Sequence, residues 1–221
     1  MAANKSGALL CRPGEVIIDL RERGLRLLQD PRFFCFSGEA VRLADFAADA
    51  LPEARRVIEL GSGNGGLTFY LWAKLNEASC TGLEIMSANV SLAQRSIELN
   101  HNVPELLRQI RFVCGDWRQI SQYFPAAGCD LVVSNPPFWR AEASRLSPCL
   151  ERRAARIECF GGLKSLIQAA AYILAPGGRF CLLLPEERQN EAAAKLTATG
   201  LVITQIEHWQ RRVLFAAAKV E

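Results

Sequence analysis

The stretch ELGSGNGG, residues 59–66, follows an apolar run and precedes a segment whose hydrophobic residues have helical spacing. Glycines are expected at such a strand-to-helix turn, because the backbone needs unusual φ and ψ values and must stay bare enough for a ligand to approach. The pattern G-x-G-x-x-G also occurs in dinucleotide folds and is a weak signal alone. Glu59, two residues before Gly61, suits a pyrophosphate badly and favours a ligand that carries an amino group and a sulfonium.

Short apolar runs alternate with amphipathic stretches along the chain, which predicts an α/β fold with a mostly parallel sheet. The run at 129–135 is too apolar for an edge strand and is expected in the centre of the sheet. The last two runs have no room for a helix between them, so they must form an antiparallel hairpin. Seven strands are predicted for this sheet, at 55–60, 78–85, 110–116, 129–135, 179–185, 201–209 and 211–220.

The first fifty residues have a different pattern. Residues 15–20 and 24–29 are predicted to form a β-hairpin, and residues 38–51 a helix. A segment of this length is too small to be an independent domain. We therefore divide the chain into an N-terminal hairpin and helix, 1–52, that packs on a main domain of residues 53–221.

The composition is that of a folded protein, with half of the residues hydrophobic and 22% charged. The net charge of +3 permits a nucleic-acid partner without requiring one. The eight cysteines are scattered without a C-x-x-C pair, so we expect no metal and a reducing cytoplasm. The N-terminal apolar run is too short for a signal peptide, and no other run is long enough to span a membrane. We expect a monomer, although nothing in the sequence fixes the oligomeric state.

Two further acidic residues end predicted strands. Glu84 ends the second strand of the main domain, where a carboxylate can accept both hydroxyls of a ribose or remain a solvated charge. Asp116 ends the third strand, where it can accept a hydrogen bond from an adenine amino group, cap the following helix, or do both. Ile85 and Trp117 offer apolar faces for the ring. These positions predict a nucleoside site.

The tetrapeptide Asn135-Pro136-Pro137-Phe138 follows the predicted central strand, where α/β folds place ligand chemistry. An amide nitrogen or exocyclic amine is a poor nucleophile, because its lone pair is delocalised. The side-chain oxygen of Asn135 and the carbonyl of Pro136 can accept its N–H protons and turn the lone pair toward a methyl group. The prolines stiffen the loop, and Phe138 can stack on a flat target. This predicts catalysis by positioning, without a strong base.

Together these residues resemble class I S-adenosylmethionine (SAM)-dependent methyltransferases of the N-P-P-[FY] group. The resemblance implies a Rossmann-like methyltransferase fold and SAM as the cofactor. It implies that the glycine loop shapes the methionine end of the pocket, that Glu84 binds the ribose, that Asp116 lies near the adenine, and that residues 135–138 are catalytic. The expected cofactor-binding residues are Glu59, Gly61, Ser62, Gly63, Gly65, Glu84, Ile85, Asp116, Trp117 and Asn135.

A closer resemblance extends to the bacterial tRNA1(Val) (adenine-N6)-methyltransferase family. It is carried by residues 24–47, where a strand ending in a glutamine precedes an aromatic pair and a helix, and by residues 147–148, 155–158 and 175–180. Two positions differ from that family. Gly38-Glu39 replaces a usual Val-Asp pair, which could alter the cofactor lid or the substrate. Phe138 replaces a usual tyrosine, which keeps stacking and loses a hydroxyl.

A polar, arginine-rich stretch at 140–158 follows the tetrapeptide and is predicted to be a long surface loop. Its arginines could neutralise phosphates of an RNA substrate, or could form an ordinary solvated surface. The candidate substrate-binding residues are Arg145, Arg152, Arg153 and Arg156.

The favoured hypothesis is an enzyme that methylates N6 of an adenine in tRNA, on an unstacked base of the anticodon loop. The alternatives in the same class are a protein glutamine N5-methyltransferase and a methyltransferase of another RNA base amino group. The glutamine enzyme would be expected to carry a dedicated helical N-terminal domain. A SAM-binding module without activity conflicts with the intact tetrapeptide, and an NAD-dependent oxidoreductase would leave residues 135–138 without a role.

Overall fold

The computed structural model describes residues 10–75, 77–136 and 162–220. These residues contain a short N-terminal hairpin and seven further strands. The strands are β1 (Val16–Asp19), β2 (Arg26–Gln29), β3 (Arg56–Leu60), β4 (Ser79–Glu84), β5 (Ile110–Cys114), β6 (Cys129–Ser134), β7 (Leu174–Pro185), β8 (Leu201–Trp209) and β9 (Arg212–Lys219). The α-helices are α1 (Gly38–Ala50), α2 (Gly66–Lys74), α3 (Ser87–Leu99), α4 (Pro104–Gln109), α5 (Gly162–Ile173) and α6 (Gln189–Ala198).

The seven later strands form one sheet in the order β5-β4-β3-β6-β7-β9-β8. The pairs from β5 to β7 are parallel, and β9 pairs antiparallel with both β7 and β8. This confirms the predicted α/β, Rossmann-like fold with a terminal antiparallel hairpin. The chain order reverses between β3 and β6, and in such sheets ligands bind in the crevice at the carboxyl ends of the strands.

Strand β6 lies at the centre of the sheet, as its apolar sequence predicts. Leu131 and Val133 point into a core cluster on one face, and Val132 points into a second cluster on the other face. All three side chains are fully buried. Successive side chains of a strand alternate between faces, so a strand covered on both sides must be apolar throughout.

The N-terminal hairpin and α1 pack on one face of this sheet. Leu27 of β2 and Phe46 of α1 belong to the same core cluster as Leu71 of α2 and Leu183 of β7. The hairpin also hydrogen-bonds to α3, where Ser96 Oγ accepts from the backbone N–H of Leu28 at 2.9 Å. The division of the chain at residue 52 stays a prediction, although the hairpin and the helix that motivated it are both present.

One helix differs from the predicted pattern. Helix α4 was not expected, because it is too short to show a hydrophobic period. The helix that Asp116 was expected to cap is the 3₁₀ segment Trp117–Gln122. The long polar loop expected at 140–158 lies outside the described residues. Within the described ranges, no helix has the length and apolar character needed to cross a membrane.

Candidate active site

The glycine loop joins β3 to α2 with three glycines in the left-handed region. Gly61, Gly63 and Gly65 have φ values of +78°, +53° and +87°. Other residues adopt such angles at a cost, which is the physical reason that the sequence has glycine here. At Gly65 space matters too, because a Cβ atom would lie 2.5 Å from Cζ of Phe112. The predicted need for unusual backbone angles is confirmed.

Glu59, one residue before the end of β3, has a buried carboxyl group. Thr68 Oγ1, in the first turn of α2, donates a hydrogen bond to Glu59 Oε2. Burial, with a smaller contribution from the nearby charge of Glu84, raises the pKa of Glu59 to about 8, although the hydrogen bonds from Thr68 act in the opposite direction. The group therefore carries a proton at neutral pH until a cation comes close to it.

Glu84, at the end of β4, reaches across to the glycine loop. Its Oε2 accepts from the backbone N–H of Gly63 at 2.9 Å, and its Oε1 accepts from the N–H of Met86 at 2.8 Å. Burial raises the pKa of Glu84, and these backbone hydrogen bonds act in the opposite direction. A solvated charge at a strand end is therefore excluded, because the side chain is buried and bonded.

Asp116 is an N-cap in this structure. Its side chain accepts from the backbone N–H of Arg118 at 2.9 Å and pairs with the guanidinium of the same residue, whose hydrogen bond lowers the pKa of Asp116. The neighbouring Trp117 lies over the glycine loop, 3.3 Å from where a Cβ of Gly61 would be. Its Nε1 donates to Ser165 Oγ at 3.1 Å, which links the loop after β5 to α5. The half-buried Ile85 follows Glu84 directly.

Asn135 lies directly after β6, at the carboxyl edge of the sheet, and lines a pocket together with the glycine loop. Its Oδ1 is buried and has no hydrogen-bond partner among the residues that the structure describes. Buried polar atoms normally have a partner, so an orphaned acceptor in a pocket indicates a ligand donor. Pro136 is buried next to it. Pro137 and Phe138 lie outside the described residues.

The pocket brings together only part of the predicted set. Five predicted residues line it, namely Glu59, Gly61, Ser62, Gly63 and Asn135. The Oγ of Ser62 is also buried without a partner within the described ranges. Glu84 reaches the pocket through its bond to Gly63, whereas Gly65, Ile85, Asp116, Trp117 and Pro136 do not line it.

Sequence reasoning missed the aromatic wall of this pocket. Phe34 and Phe36, from the segment between β2 and α1, line it beside the glycine loop. It also missed Asn64, whose Nδ2 donates to the carbonyl of Leu28 at 3.4 Å and so joins the loop to β2. Both residues lie in the segment that carries the family resemblance, but no local periodicity relates this segment to a pocket beside the glycine loop.

Gly38 and Glu39, which differ from the family pattern, contact the C-terminal hairpin of β8 and β9. Glu39 Oε1 accepts from Arg212 Nε at 2.7 Å. A Cβ on Gly38 would lie 3.9 Å from Cη2 of Trp209, in ordinary contact. The two residues thus connect the start of α1 with β8 and β9.

The four candidate substrate arginines, Arg145, Arg152, Arg153 and Arg156, lie outside the described residues. Within the ranges that are described, no group of three or more His, Cys, Asp or Glu residues is arranged to hold a metal ion. The chemistry of the described pocket is therefore that of buried acceptors, glycine backbone and aromatic rings.

Comparisons with known proteins agree with this architecture. A family model described as a methyltransferase domain matches residues 51–216. Two solved structures share the fold. One is a predicted O-methyltransferase from Agrobacterium tumefaciens, with a TM-score of 0.62 and 25% identity, covering 82% of this chain and 81% of that one. The other is the 1,6-didemethyltoxoflavin-N1-methyltransferase of Burkholderia thailandensis with bound S-adenosylhomocysteine, with a TM-score of 0.59 and 14% identity, covering 83% and 79%.

Two of the curated relatives are named for different targets, an RNA and a protein. A tRNA1(Val) (adenine(37)-N6)-methyltransferase of Tolumonas auensis is 30% identical over 150 residues, which cover 66% of this chain and 58% of that protein. A release factor glutamine methyltransferase of Bordetella pertussis is 28% identical over 155 residues, which cover 67% of this chain and 54% of that protein. The match thus spans little more than half the length of either relative.

Proposed function

This chain belongs to the family of methyltransferase domains, and on that basis we propose that it methylates N6 of an adenine in tRNA, in the anticodon loop. It is a SAM-dependent methyltransferase. When bound, SAM supplies an electrophilic methyl group on a positively charged sulfur. The residues of the pocket bind and orient the two reactants.

We assign the methionine end of the cofactor to the glycine loop and Glu59. The loop exposes backbone without side chains, and the carboxyl group of Glu59 lines the same pocket. A cationic amino group beside Glu59 would displace its proton and gain a buried ion pair. Ser62 Oγ is available for a hydrogen bond to the cofactor at the same place.

We assign the ribose to Glu84. Its Oε2 accepts from the backbone N–H of Gly63 and its Oε1 from that of Met86, and the ribose hydroxyls would donate to the acceptor capacity that remains. The adenine would then lie near Asp116, between the apolar groups of Ile85 and Trp117. The bonds from Arg118 use part of the acceptor capacity of Asp116, and the adenine amino group would donate to what remains.

The catalytic proposal depends on one observation: within the described residues, Oδ1 of Asn135 is buried in the pocket of the glycine loop and has no hydrogen-bond partner. An acceptor there can bind an N–H proton of an exocyclic amine and direct its lone pair at the methyl carbon. Transfer of the methyl group from bound SAM would exchange a C–S bond for an N–CH₃ bond, and the amine held by Asn135 would release one proton to solvent. Pro136, Pro137 and Phe138 complete the proposed catalytic group, with Phe138 stacked on the target.

A glutamine amide is the second candidate, because it presents the same planar N–H group and because the glutamine methyltransferase relative matches a similar share of this chain. Another RNA base amino group would use the same contacts. We favour adenine because the tRNA1(Val) adenine methyltransferase relative is 30% identical, and the close resemblance to that family includes residues 24–47. An unstacked loop base also costs little to extrude.

The test consists of two parallel incubations with methyl-labelled SAM. One contains total bacterial tRNA and the other contains a protein release factor. The tRNA is digested to nucleosides and the protein to amino acids. We expect label in N6-methyladenosine, and none in N5-methylglutamine. Label in the protein alone would reject the tRNA proposal in favour of the glutamine amide. The Asn135→Ala variant, assayed beside the wild type, controls for a contaminating enzyme.

A further inference from the structure

The segment that joins β2 to α1, residues 30–37, is fixed at both ends beside the glycine loop. We call it the strap. Gln29, buried at the end of β2, accepts from the backbone N–H of Phe36 at 2.6 Å through its Oε1. The same oxygen accepts from Asn64 Nδ2 at 3.5 Å. One buried amide therefore connects the strap and the glycine loop.

Two of the three phenylalanines in the strap are anchors. The ring of Phe36 covers the start of α2, where a Cβ on Gly66 would lie 2.5 Å from its Cδ2. Its centroid lies 6.0 Å from that of Tyr70. Phe33 packs against the core cluster of Leu28, Leu92 and Leu99. Both rings hold the strap backbone in place.

Phe34 lies between these anchors and has a different environment. Its ring is 38% exposed, yet it lines the same pocket as Asn135. An apolar ring on a fixed segment, facing a pocket that also holds an orphaned acceptor, is arranged to meet a ligand with a flat apolar face.

From this geometry we infer that Phe34 forms one wall of the substrate subsite and packs against the face of the target nucleobase. The inference rests on the proposed function and names a residue for substrate recognition within it. Oδ1 of Asn135 accepts a hydrogen bond from the amino group at the edge of the base, and Phe34 contacts the face of the base. A glutamine amide would satisfy the first contact and would gain little from the second, because it has no ring.

The test compares the wild type with Phe34→Ala, Phe34→Leu and Phe34→Tyr in full-length protein. Substitution of an aromatic residue by alanine removes its stacking on a base, which weakens binding of the base by roughly 5- to 150-fold. We expect Phe34→Ala to lower kcat/KM for tRNA by this factor. Phe34→Leu should lower kcat/KM nearly as much, because leucine keeps apolar area but has no ring. Phe34→Tyr should remain close to the wild type. The affinity for SAM, measured by calorimetry, should change less than about twofold in all three.

Leu107→Ala is the matched control, because Leu107 is 49% exposed on α4 and does not line the pocket. It should leave kcat/KM unchanged. A parallel loss of SAM affinity in Phe34→Ala would make this ring part of the cofactor site and overturn the inference. Wild-type turnover by Phe34→Leu would overturn it as well. If the wild-type protein methylates tRNA, these two outcomes leave the proposed function intact. If the wild-type protein does not methylate tRNA, the proposed function itself is rejected.

Discussion

Glu84 accepts a hydrogen bond from the backbone N–H of Gly63 at 2.9 Å, so the carboxylate that ends β4 holds the turn that follows β3. Glu84 ends β4 and Gly63 lies in the loop that follows β3, and these two parallel strands are neighbours whose carboxyl ends meet at one edge of the sheet. The loop is therefore shaped by a buried side chain as well as by its own glycines. Substitution of Glu84 or of Gly63 should therefore lower the affinity for SAM.

Gly63→Val should abolish measurable SAM binding. Gly63 has a φ of +53°, which a β-branched residue adopts only under strain of about 1–3 kcal/mol, so the loop is expected to shift away from Glu84. A Cβ at this position would meet no other atom of the described residues within 4 Å. The loss of SAM binding would therefore come from backbone strain and from a side chain that blocks the approach of the ligand to the backbone. Isothermal calorimetry measures the effect. Gly177→Val is the control, because Gly177 has a φ of +79° with equally open space but lies outside the pocket. Tight binding by Gly63→Val would contradict the assignment.

The affinity for SAM should rise as the pH rises from 6 to 8. The pKa of Glu59 is about 8 because of burial, so the group is protonated over most of this range and must lose its proton to pair with a cationic amino group. Since one proton is released, the dissociation constant should fall by up to about tenfold per pH unit and level off near pH 8. Calorimetry in buffers of different ionisation enthalpy counts the protons released.

Glu59→Gln is the control for this pH dependence. It keeps the size of the side chain, removes the titration, and should give weak binding with a flat profile. Glu84 is also buried with a raised pKa, so a slope that persists in Glu59→Gln would move the proton release to Glu84. A wild-type dissociation constant that stays constant between pH 6 and 8 would exclude Glu59 as the partner of the amino group.

Asn135→Ala should lower turnover by about 100-fold or more while SAM affinity changes only a few-fold. The expected loss is that of one aligned hydrogen-bonding group whose contact strengthens in the transition state. Single-turnover kinetics measure the chemical step directly. Ser134→Ala is the neighbouring control, because Ser134 Oγ donates to the buried carbonyl of Leu60 at 2.7 Å. That variant should lose about 1 kcal/mol of stability and keep its chemical rate. Near wild-type turnover by Asn135→Ala would reject the positioning mechanism.

Replacing four arginines by alanine should flatten the salt dependence of tRNA binding. Each arginine that neutralises a phosphate releases counterions, so the slope of log K against log salt should decrease by up to about one unit for each such arginine replaced. The residues are Arg145, Arg152, Arg153 and Arg156, and none of them belongs to the expected cofactor set. SAM affinity should therefore stay the same in the variant. Identical salt slopes for variant and wild type would remove these residues from the RNA-binding surface.

Asp116 shows how far sequence reasoning extends at this site. Its position at a strand end allows both an adenine contact and an N-cap, because each role needs only a short side chain with an acceptor. The structure shows the cap and the pairing with Arg118, which no rule of spacing selects over the other role. Glu84 is the opposite case. Its place at a strand end suggested a ligand contact, and the structure adds its bond to Gly63.

The sequence by itself determined the order of the elements and the position of the glycine loop. These depend on local properties, such as the period of apolar residues, the need for positive φ at Gly61, Gly63 and Gly65, and the absence of room for a helix between β8 and β9. Only the tertiary structure placed Phe34 beside Asn135 and Glu39 beside Arg212. Such pairs join distant parts of the chain through packing on a shared core, and no local pattern in a single sequence encodes which distant surfaces will meet.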